Sequence, residues 1–582
     1  MATLADNALK VLHRRYLRRD EKGNVTETPD ELFHRVAKAI AAAELSWGNC
    51  NDAKEWEDKF YSIMSELLFL PNSPTLMNAG TAAHQLSACF VLPVEDNMNA
   101  IFTTLKHTAL IQQSGGGTGF NFSHLRPKDD PVSVTGGTAS GPVSFMKIFD
   151  AATEHIKQGG KRRGANMGIV NVDHPDIVEF ISAKREPGVL NNFNISVGIS
   201  DAFMHAVSAD AEWDLLHPNS KKTIKRVNAV KLWNDIIESA WQTGDPGLIF
   251  TDTINTSNPT PALGKIESTN PCGEVPLLPY EPCNLGSINL SKFTKRNNDT
   301  HEVDWKMLEE IIPVAVRFLD NVIEVNDYII PEIKQMAYGN RKIGLGVMGW
   351  AELLILLGIP YDSEAAIQLA EKVMQFIRDK GFDASKELAE ERGPFPNWEK
   401  SIYHPHSRIR NATRTSIAPT GTISIIADTS SSIEPLFAIA FRRQHVLNEE
   451  ELVSVNRLFI DHLKIHHLYS EEMMNRVIKE GVAKNIRELP LAVKNIFKTA
   501  LDISPSWHLR HQLAFQHFTD NAVSKTINLP ETATKENIAE IYRSAWKNKA
   551  KGITIFRYNS KGNQVMWQGT RSGIKSCKVC IE

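Results

Sequence analysis

The chain is short of cysteine, has no apolar run long enough to cross a bilayer and carries almost no imbalance of charge, and each shortage removes a class of protein. Six cysteines in 582 residues (Cys50, Cys89, Cys272, Cys283, Cys577 and Cys580) are too sparse for a disulfide-stapled secreted scaffold. In a reducing compartment, paired cysteines read as redox or catalytic thiols. The longest apolar stretch, Trp350 to Ile359, falls short of the ~20 residues that a membrane-crossing helix needs. The Arg-rich opening, Met1 to Asp20, has no apolar core of a secretory signal, so the expected location is the cytoplasm. Lys and Arg number 65 against 68 Asp and Glu, a formal net charge of -3, which gives no basic footprint for a nucleic-acid polymer or an anionic lipid surface. Internal repeats and low-complexity tracts are lacking too.

A hydrophobic content of 42% with 23% charged residues belongs to an ordinary globular chain. Its length allows several domains, or one large domain with appendages, since single cores rarely grow past ~250 to 300 residues. Helical spacing in Leu32, Val36, Ala39, Ile40 and Ala43, after a capped start at Thr28-Pro29-Asp30-Glu31, predicts a small helical region over residues 1–70. From Pro71 onward, short β-rich runs such as Asn194 to Ile199 alternate with amphipathic helical stretches such as Ser363 to Lys380, which predicts an α/β core over 71–558. Glycine clusters fall between these runs, at Gly115-Gly116-Gly117, Gly136-Gly137, Gly159-Gly160 and Gly344 to Gly349. Residues 559–582 are rich in Gly, Ser, Lys and Gln and read as a flexible tail that ends in a cysteine pair.

The segment that carries most chemistry is Asn270-Pro271-Cys272-Gly273-Glu274, followed by Cys283-Asn284-Leu285-Gly286-Ser287-Ile288-Asn289-Leu290. Pro271 and Gly273 put a cysteine on a tight loop between an amide and a carboxylate. A sulfur can host a radical, a glutamate can take a hydroxyl proton and an asparagine can hydrogen-bond the same sugar. A turn holding a buried cysteine is the plainer reading of these five residues alone.

They do not stand alone. Pro71 to Gly80, Ser87 to Leu92, Lys157 to Met167, Arg341 to Trp350 and Ile417 to Ser424 follow one another in the order found in ribonucleotide reductases, and Asn270 to Glu274 resembles that family's active-site finger loop. The resemblance runs nearly from end to end. It implies that Cys272 becomes a thiyl radical that removes the ribose 3′ hydrogen, that Glu274 takes the 3′-hydroxyl proton and that Asn270 hydrogen-bonds the substrate. Cys89 and Cys283 would deliver a proton and two reducing equivalents as the 2′-hydroxyl leaves, becoming a disulfide. Ser73, Ala88 and the run Thr420, Gly421, Thr422, Ile423 and Ser424 would hold the substrate and its diphosphate. Asp96, Lys161 and Arg162 would belong to a second nucleotide site for dNTP or ATP effectors.

The resemblance also implies a ten-stranded α/β barrel made of two antiparallel halves of five parallel strands, with Cys272 on a loop through its middle, and a homodimer. Absences choose the subclass. The stretch Gly552 to Tyr558 has no adjacent tyrosine pair, which members driven by a separate radical subunit carry near the C-terminus. An Arg-Val-Cys-Gly-Tyr glycyl-radical string is missing, and Glu274 is present where the oxygen-sensitive class lacks it. The eleven-residue step from Cys272 to Cys283 is the short spacing of the adenosylcobalamin class. Adenosylcobalamin is therefore the implied cofactor, and ribonucleoside diphosphates are the implied substrates. The sequence has no Asp-x-His-x-x-Gly cobalamin motif, which this class does without, and no ATP-cone at its start.

Cys577-Lys578-Val579-Cys580 could be half of a zinc site, but no second Cys or His pair lies near it and no metal is expected. A mobile dithiol that reduces the Cys89–Cys283 disulfide, and is itself reduced by a thioredoxin- or glutaredoxin-like partner, suits it better. Cys50 matches none of these roles. Two rival readings remain at this level: a catalytic subunit served by a separate radical-generating protein, and a nucleotide-binding or thiol-exchange protein that does no radical chemistry.

Overall fold

The computed structural model describes residues 3–132, 136–158, 162–297, 300–447, 450–560 and 566–568. The helical start forms as its pattern dictates. Thr28 accepts a hydrogen bond from the Glu31 amide at 3.2 Å while the Glu31 carboxylate accepts from the Thr28 amide at 2.8 Å, a reciprocal capping box that opens helix Pro29–Ala41. Its buried stripe, Leu32, Val36 and Ile40, packs with Phe60, Ile63 and Met64 of helix Cys50–Ser65. Cys50 is the exposed first residue of that second helix.

Ten strands form the main sheet: β1 Phe69–Pro71, β2 Cys89–Val91, β3 Gly117–Asn121, β4 Asn166–Asn171, β5 Phe193–Ile199, β6 Gly247–Phe250, β7 Pro282–Asn289, β8 Ile343–Met348, β9 Thr526–Leu529 and β10 Gly552–Arg557. Strands β2 to β6 are mutually parallel. At one side β2 meets β7 antiparallel, and β7 runs parallel to β8. At the other, β6 meets β10 antiparallel, and β10 runs parallel to β9. Segment 413–417 joins the free sides of β8 and β9. The Leu345 amide donates to the Arg414 carbonyl at 2.7 Å, the Ile417 amide to the Ala522 carbonyl at 3.1 Å and the Ser524 amide to the Ile417 carbonyl at 2.9 Å, just ahead of β9. Both bridges, Leu345 with Thr415 and Ile417 with Val523, are parallel. Backbone bonding thus returns to its starting point, with β2 to β6 as one half of five and β7, β8, 413–417, β9 and β10 as the other. Short β1 lies beside β7 next to β2.

Strands β7 and β8 are buried at every position. Parallel strands covered on both faces read as continuous apolar runs, here interrupted by glycines, Ser287 and the buried Asn284 and Asn289. Helix Trp305–Val325 packs on the outside of β7 and β8, and helix Glu364–Arg392 packs on that helix in turn. The latter, expected over Ser363 to Lys380, is capped by Ser363 and runs on to Arg392 through the buried Gly381. Outside the barrel, Glu450–Val455, Ala440–Leu447 and Met566–Gln568 form a three-stranded sheet, so the segment read as a flexible tail contains a paired strand.

Between the two long helices sits a fully buried charge cluster. The Asp320 carboxylate meets the guanidinium of Arg341 at 2.9 Å and those of Arg392 and Arg410 at 3.4 Å each, and accepts a bond from Asn411 Nδ2 at 2.9 Å. Burial pushes its carboxyl pKa up, but the three arginines together outweigh that and hold it below the usual aspartate range. Asp320→Ala removes the carboxylate that the three arginines share, leaving Arg341 and Arg410 on Glu324 and Arg392 on Glu44, and should cost up to about 3–5 kcal/mol at neutral pH in denaturant unfolding. A carboxylate with a depressed folded-state pKa stabilises above its unfolded-state pKa and loses that contribution as pH falls through the folded one, so the gap to the wild type should close on acidification. A difference that stays constant down to acid pH would show that the cost comes from packing alone.

Candidate active site

Inside the barrel a short hairpin, Ser268–Thr269 paired with Pro276–Leu277, carries Asn270 to Val275 at its tip. Irregular backbone in a core must satisfy its own polar groups or borrow partners, and this loop does both. Asn270 Oδ1 accepts from the Val275 amide at 3.0 Å, and the Asn270 carbonyl accepts from the Gly273 amide at 3.1 Å. The Glu274 carbonyl accepts from Ser416 Oγ and from the Ala522 amide, both at 2.9 Å, while the Pro271 carbonyl accepts from Asn194 Nδ2 of β5 at 2.9 Å. One barrel half therefore holds Glu274 and the other holds Pro271. Strand β3 lets the hairpin pass because residue 119 is glycine: a Cβ there would stand 1.7 Å from the Thr269 carbonyl oxygen.

A cavity of about 120 Å³ opens at the loop. Its walls bring together Cys89, Asn270, Cys272 and Glu274 with Ser73, Ala88, Thr420, Gly421, Thr422 and Ile423, ten of the residues singled out in the sequence. Asn270 and Glu274 are each 2% exposed, whereas Cys272 and Gly273 at the tip are partly open. Cys283 lies behind the wall, directly opposite Cys89 in the antiparallel register of β7 and β2. Cross-strand partners of this kind lie within the Cα separation a disulfide spans. Neither cysteine is in a disulfide here.

Asn270 Nδ2 donates to Cys89 Sγ at 3.2 Å, and Cys283 Sγ donates to the Asn284 carbonyl at 3.4 Å. Burial pushes the Cys89 thiol well up, with the charges of Glu274, Cys283 and Cys272 adding to it and the Asn270 bond opposing. Burial also pushes Cys283 up, against the pull of Lys342. Both are neutral thiols near pH 7, so they hold hydrogen to give and are poor nucleophiles in this state.

At the far end of the cavity the backbone turns sharply, with Thr420 in the left-handed region at φ 55° and the one-turn helix Ile423–Ile426 following. Thr420 Oγ1 accepts from the Ser432 amide at 2.7 Å, which ties the turn down. Ser424 stands behind the lining, with its hydroxyl on Ser431 at 3.0 Å and its amide on the Thr420 carbonyl. Facing this turn, Ser73 opens helix Ser73–Asn78, capped by Asn72 through the Thr75 amide. Two helix starts thus converge on one end of the cavity, the arrangement that suits an anion.

Sequence reasoning missed several contributors. Tyr16 brings its hydroxyl to 2.7 Å from Ser73 Oγ, and the neighbouring helix Asp6–Val11 packs on Ile423–Ile426, so the N-terminal helices help wall this end. Asn194, Ser416 and the buried pair Lys342–Glu281, at 2.6 Å, were missed as well. Nothing local marks them, because each matters through a partner far away in sequence.

The residues assigned to an effector site are not gathered in one place. Asp96 receives Arg126 Nε at 2.8 Å and Asn219 Nδ2 at 3.1 Å, just ahead of helix Met98–Gln113. Arg162 lies in a short strand paired with Lys157–Gln158, and the adjoining Gly164 packs against Gln112 at the other end of that helix. A 16-residue helix separates the two by ~24 Å within one chain. Lys161, Cys577 and Cys580 lie outside the described residues. Among the described residues no cluster of His, Cys, Asp and Glu could hold a metal ion, and no helix is long and apolar enough to cross a membrane.

Comparison with known proteins meets the same residues. The family model for the ribonucleotide reductase barrel domain matches 87–408 and 405–556, and the model for the all-alpha domain of the same enzymes matches 2–84. A vitamin B12-dependent ribonucleoside-diphosphate reductase from Thermoplasma acidophilum is 50% identical over 97% of this chain and 80% of the relative. Its namesake from Mycobacterium tuberculosis (strain CDC 1551 / Oshkosh) is 49% identical over 96% of this chain and 80% of the relative. The solved alpha subunit of the class Id ribonucleotide reductase of Actinobacillus ureae shares the fold, with a TM-score of 0.78 at 24% identity over 96% of this chain and 97% of that one.

The close passage of the hairpin over β3 makes one substitution decisive. Gly119→Ala pushes the Thr269 backbone aside and with it the loop tip, and a displacement of about 1 Å at reacting groups can cost ~100-fold in rate. The expected outcome is a folded variant, by circular dichroism, whose turnover number falls by about that factor. Full activity in Gly119→Ala would show that the hairpin does not position the reacting groups.

Proposed function

The chain belongs to the ribonucleotide reductase family, and from that premise we propose that the cavity reduces ribonucleoside diphosphates to 2′-deoxyribonucleotides by radical chemistry at Cys272, with adenosylcobalamin as cofactor. The observation that carries this reading is the meeting, in one largely buried cavity, of a loop cysteine, a buried carboxylate and amide, and a second cysteine registered against a third.

Each residue then has a role suited to its surroundings. Cys272 takes the 3′ hydrogen of the ribose and returns it after reduction. Glu274 accepts the 3′-hydroxyl proton and Asn270 orients the sugar. Cys89 lines the cavity and supplies the proton with which the 2′-hydroxyl departs as water, and Cys89 and Cys283 together supply two electrons, closing a disulfide. Ser73, Ala88 and Thr420 to Ser424 form the diphosphate end. Burial excludes water and stray thiols that would quench a sulfur radical.

The partly open tip suits the cofactor. Cys272 and Gly273 are partly exposed, and open space surrounds the position where a Gly273 side chain would be. These two residues would meet adenosylcobalamin, which when bound supplies the homolysable cobalt–carbon bond that side chains cannot replace. The remaining steps belong to partners. We assign Cys577 and Cys580 to carrying electrons to the disulfide from a thioredoxin- or glutaredoxin-like protein. Asp96, Lys161 and Arg162 go to dNTP or ATP effectors, and the working unit is a cytoplasmic homodimer. The chain divides into helices over 1–70, the barrel over 71–558 and the redox tail over 559–582.

Purified chain given only CDP, adenosylcobalamin and dithiothreitol should form dCDP, with no second protein. Cys272→Ser should form none, and Glu274→Gln should lose ~100- to 10,000-fold in rate, the usual worth of a positioned general base. Product that appears only when a separate radical-generating subunit is added would overturn the cofactor assignment, and turnover by Cys272→Ser would overturn the mechanism.

A further inference from the structure

The two redox cysteines sit in unequal settings, and the inequality bears on how their disulfide is reopened. Cys89 lines the cavity and Cys283 does not. Cys283 is flanked instead by a buried ion pair: Lys342 Nζ meets the Glu281 carboxylate at 2.6 Å, and each of the two side chains is 1% exposed. Glu281 lies two residues ahead of Cys283. Lys342 lies one residue ahead of Ile343, which pairs in parallel register with Asn284, so the lysine stands across from Cys283. The Glu281 carboxylate also takes the Leu278 amide at 2.6 Å and Asn340 Nδ2, which leaves it well satisfied and the lysine firmly held.

Resting on the reductase reading above, we propose that reduction of the Cys89–Cys283 disulfide runs in one direction: the incoming thiolate attacks Cys89 Sγ from the cavity, and Cys283 Sγ departs beside the Lys342 ammonium. In the first step a bond forms between the reductant sulfur and Cys89, the Cys89–Cys283 bond breaks, and Cys283 carries away the electron pair as a thiolate that then takes a proton. In the second, the other thiol of the dithiol attacks the reductant sulfur, and Cys89 leaves and is protonated. The dithiol is oxidised to its disulfide and both cysteines are reduced.

Two independent features set this direction. Access is the first, since only Cys89 offers its sulfur to the cavity. Leaving-group quality is the second: exchange is faster when the departing sulfur is the better-stabilised thiolate. Lys342 pulls the Cys283 thiol down more than either Glu274 or Glu281 pushes it up, while Glu274 leads the charges that push the Cys89 thiol up. The Asn270 bond to Cys89 works the other way, but it is a neutral amide against an ammonium. Lys342 is thus a positioning residue that acts through Cys283.

The test needs no turnover rate. The full chain is oxidised by one turnover, opened with excess β-mercaptoethanol, quenched in acid and alkylated, and the adduct is located by peptide fragmentation in a mass spectrometer. The mercaptoethanol adduct should be at least tenfold more abundant on Cys89 than on Cys283, with the alkyl group on Cys283. An equal or inverted ratio overturns the proposal. Lys342→Arg should keep the ratio. Lys342→Met combined with Glu281→Gln removes the cation without stranding the carboxylate, and should slow disulfide opening at least tenfold. Unchanged opening in that variant overturns the role of Lys342, and the wild-type ratio stands as a test even where the double variant does not fold. If turnover leaves no Cys89–Cys283 disulfide at all, it is the reductase reading that fails.

Discussion

A hairpin of irregular backbone runs through the inside of a closed barrel, and the need to satisfy its polar groups there governs the rest of the structure. Asn270, Pro271, Gly273, Glu274 and Val275 each place backbone groups on partners, from the loop itself through Asn270 or from opposite barrel halves through Asn194, Ser416 and Ala522. Those bonds do more than offset desolvation. They fix where Cys272 sits relative to Cys89 and Glu274, because a loop bonded on both sides has no room to slide. The glycine on β3 is the complementary half of the same constraint, since backbone can cross backbone that closely only where no side chain intervenes.

Dryness follows from that arrangement and does chemical work. Burial holds Cys89 and Cys283 as neutral thiols, which is the state in which they store hydrogen and electrons. The same burial makes each nearby charge count for more than it would in water, so the one ammonium behind Cys283 differentiates two sulfurs that the strand register makes neighbours. The Asp320 cluster answers the opposite need. It crosslinks helix Trp305–Val325 to Arg392 at the end of helix Glu364–Arg392, to Arg341 ahead of β8 and to Arg410 ahead of segment 413–417, and so braces the side of the ring that this segment closes.

Local pattern alone determined a good deal. The Thr28 capping box, the stripe of Leu32, Val36 and Ile40, the β run at Asn194 to Ile199 and the Ser363 cap follow from propensity and periodicity, because such features are decided by residues within a turn or two of one another. The loop residues Asn270, Cys272 and Glu274 were legible too, since five adjacent residues carried three complementary chemistries, and their family resemblance supplied roles that composition could not. The part played by Lys342, Glu281, Tyr16 and Asn194 was decided only by tertiary structure, and barrel closure and the pairing of Cys89 with Cys283, which the family resemblance implied, have no local signature either. Their partners lie tens to hundreds of residues away, and a contact of that range leaves no periodic trace in the chain, because what selects each residue is the space and charge that a distant segment brings to it.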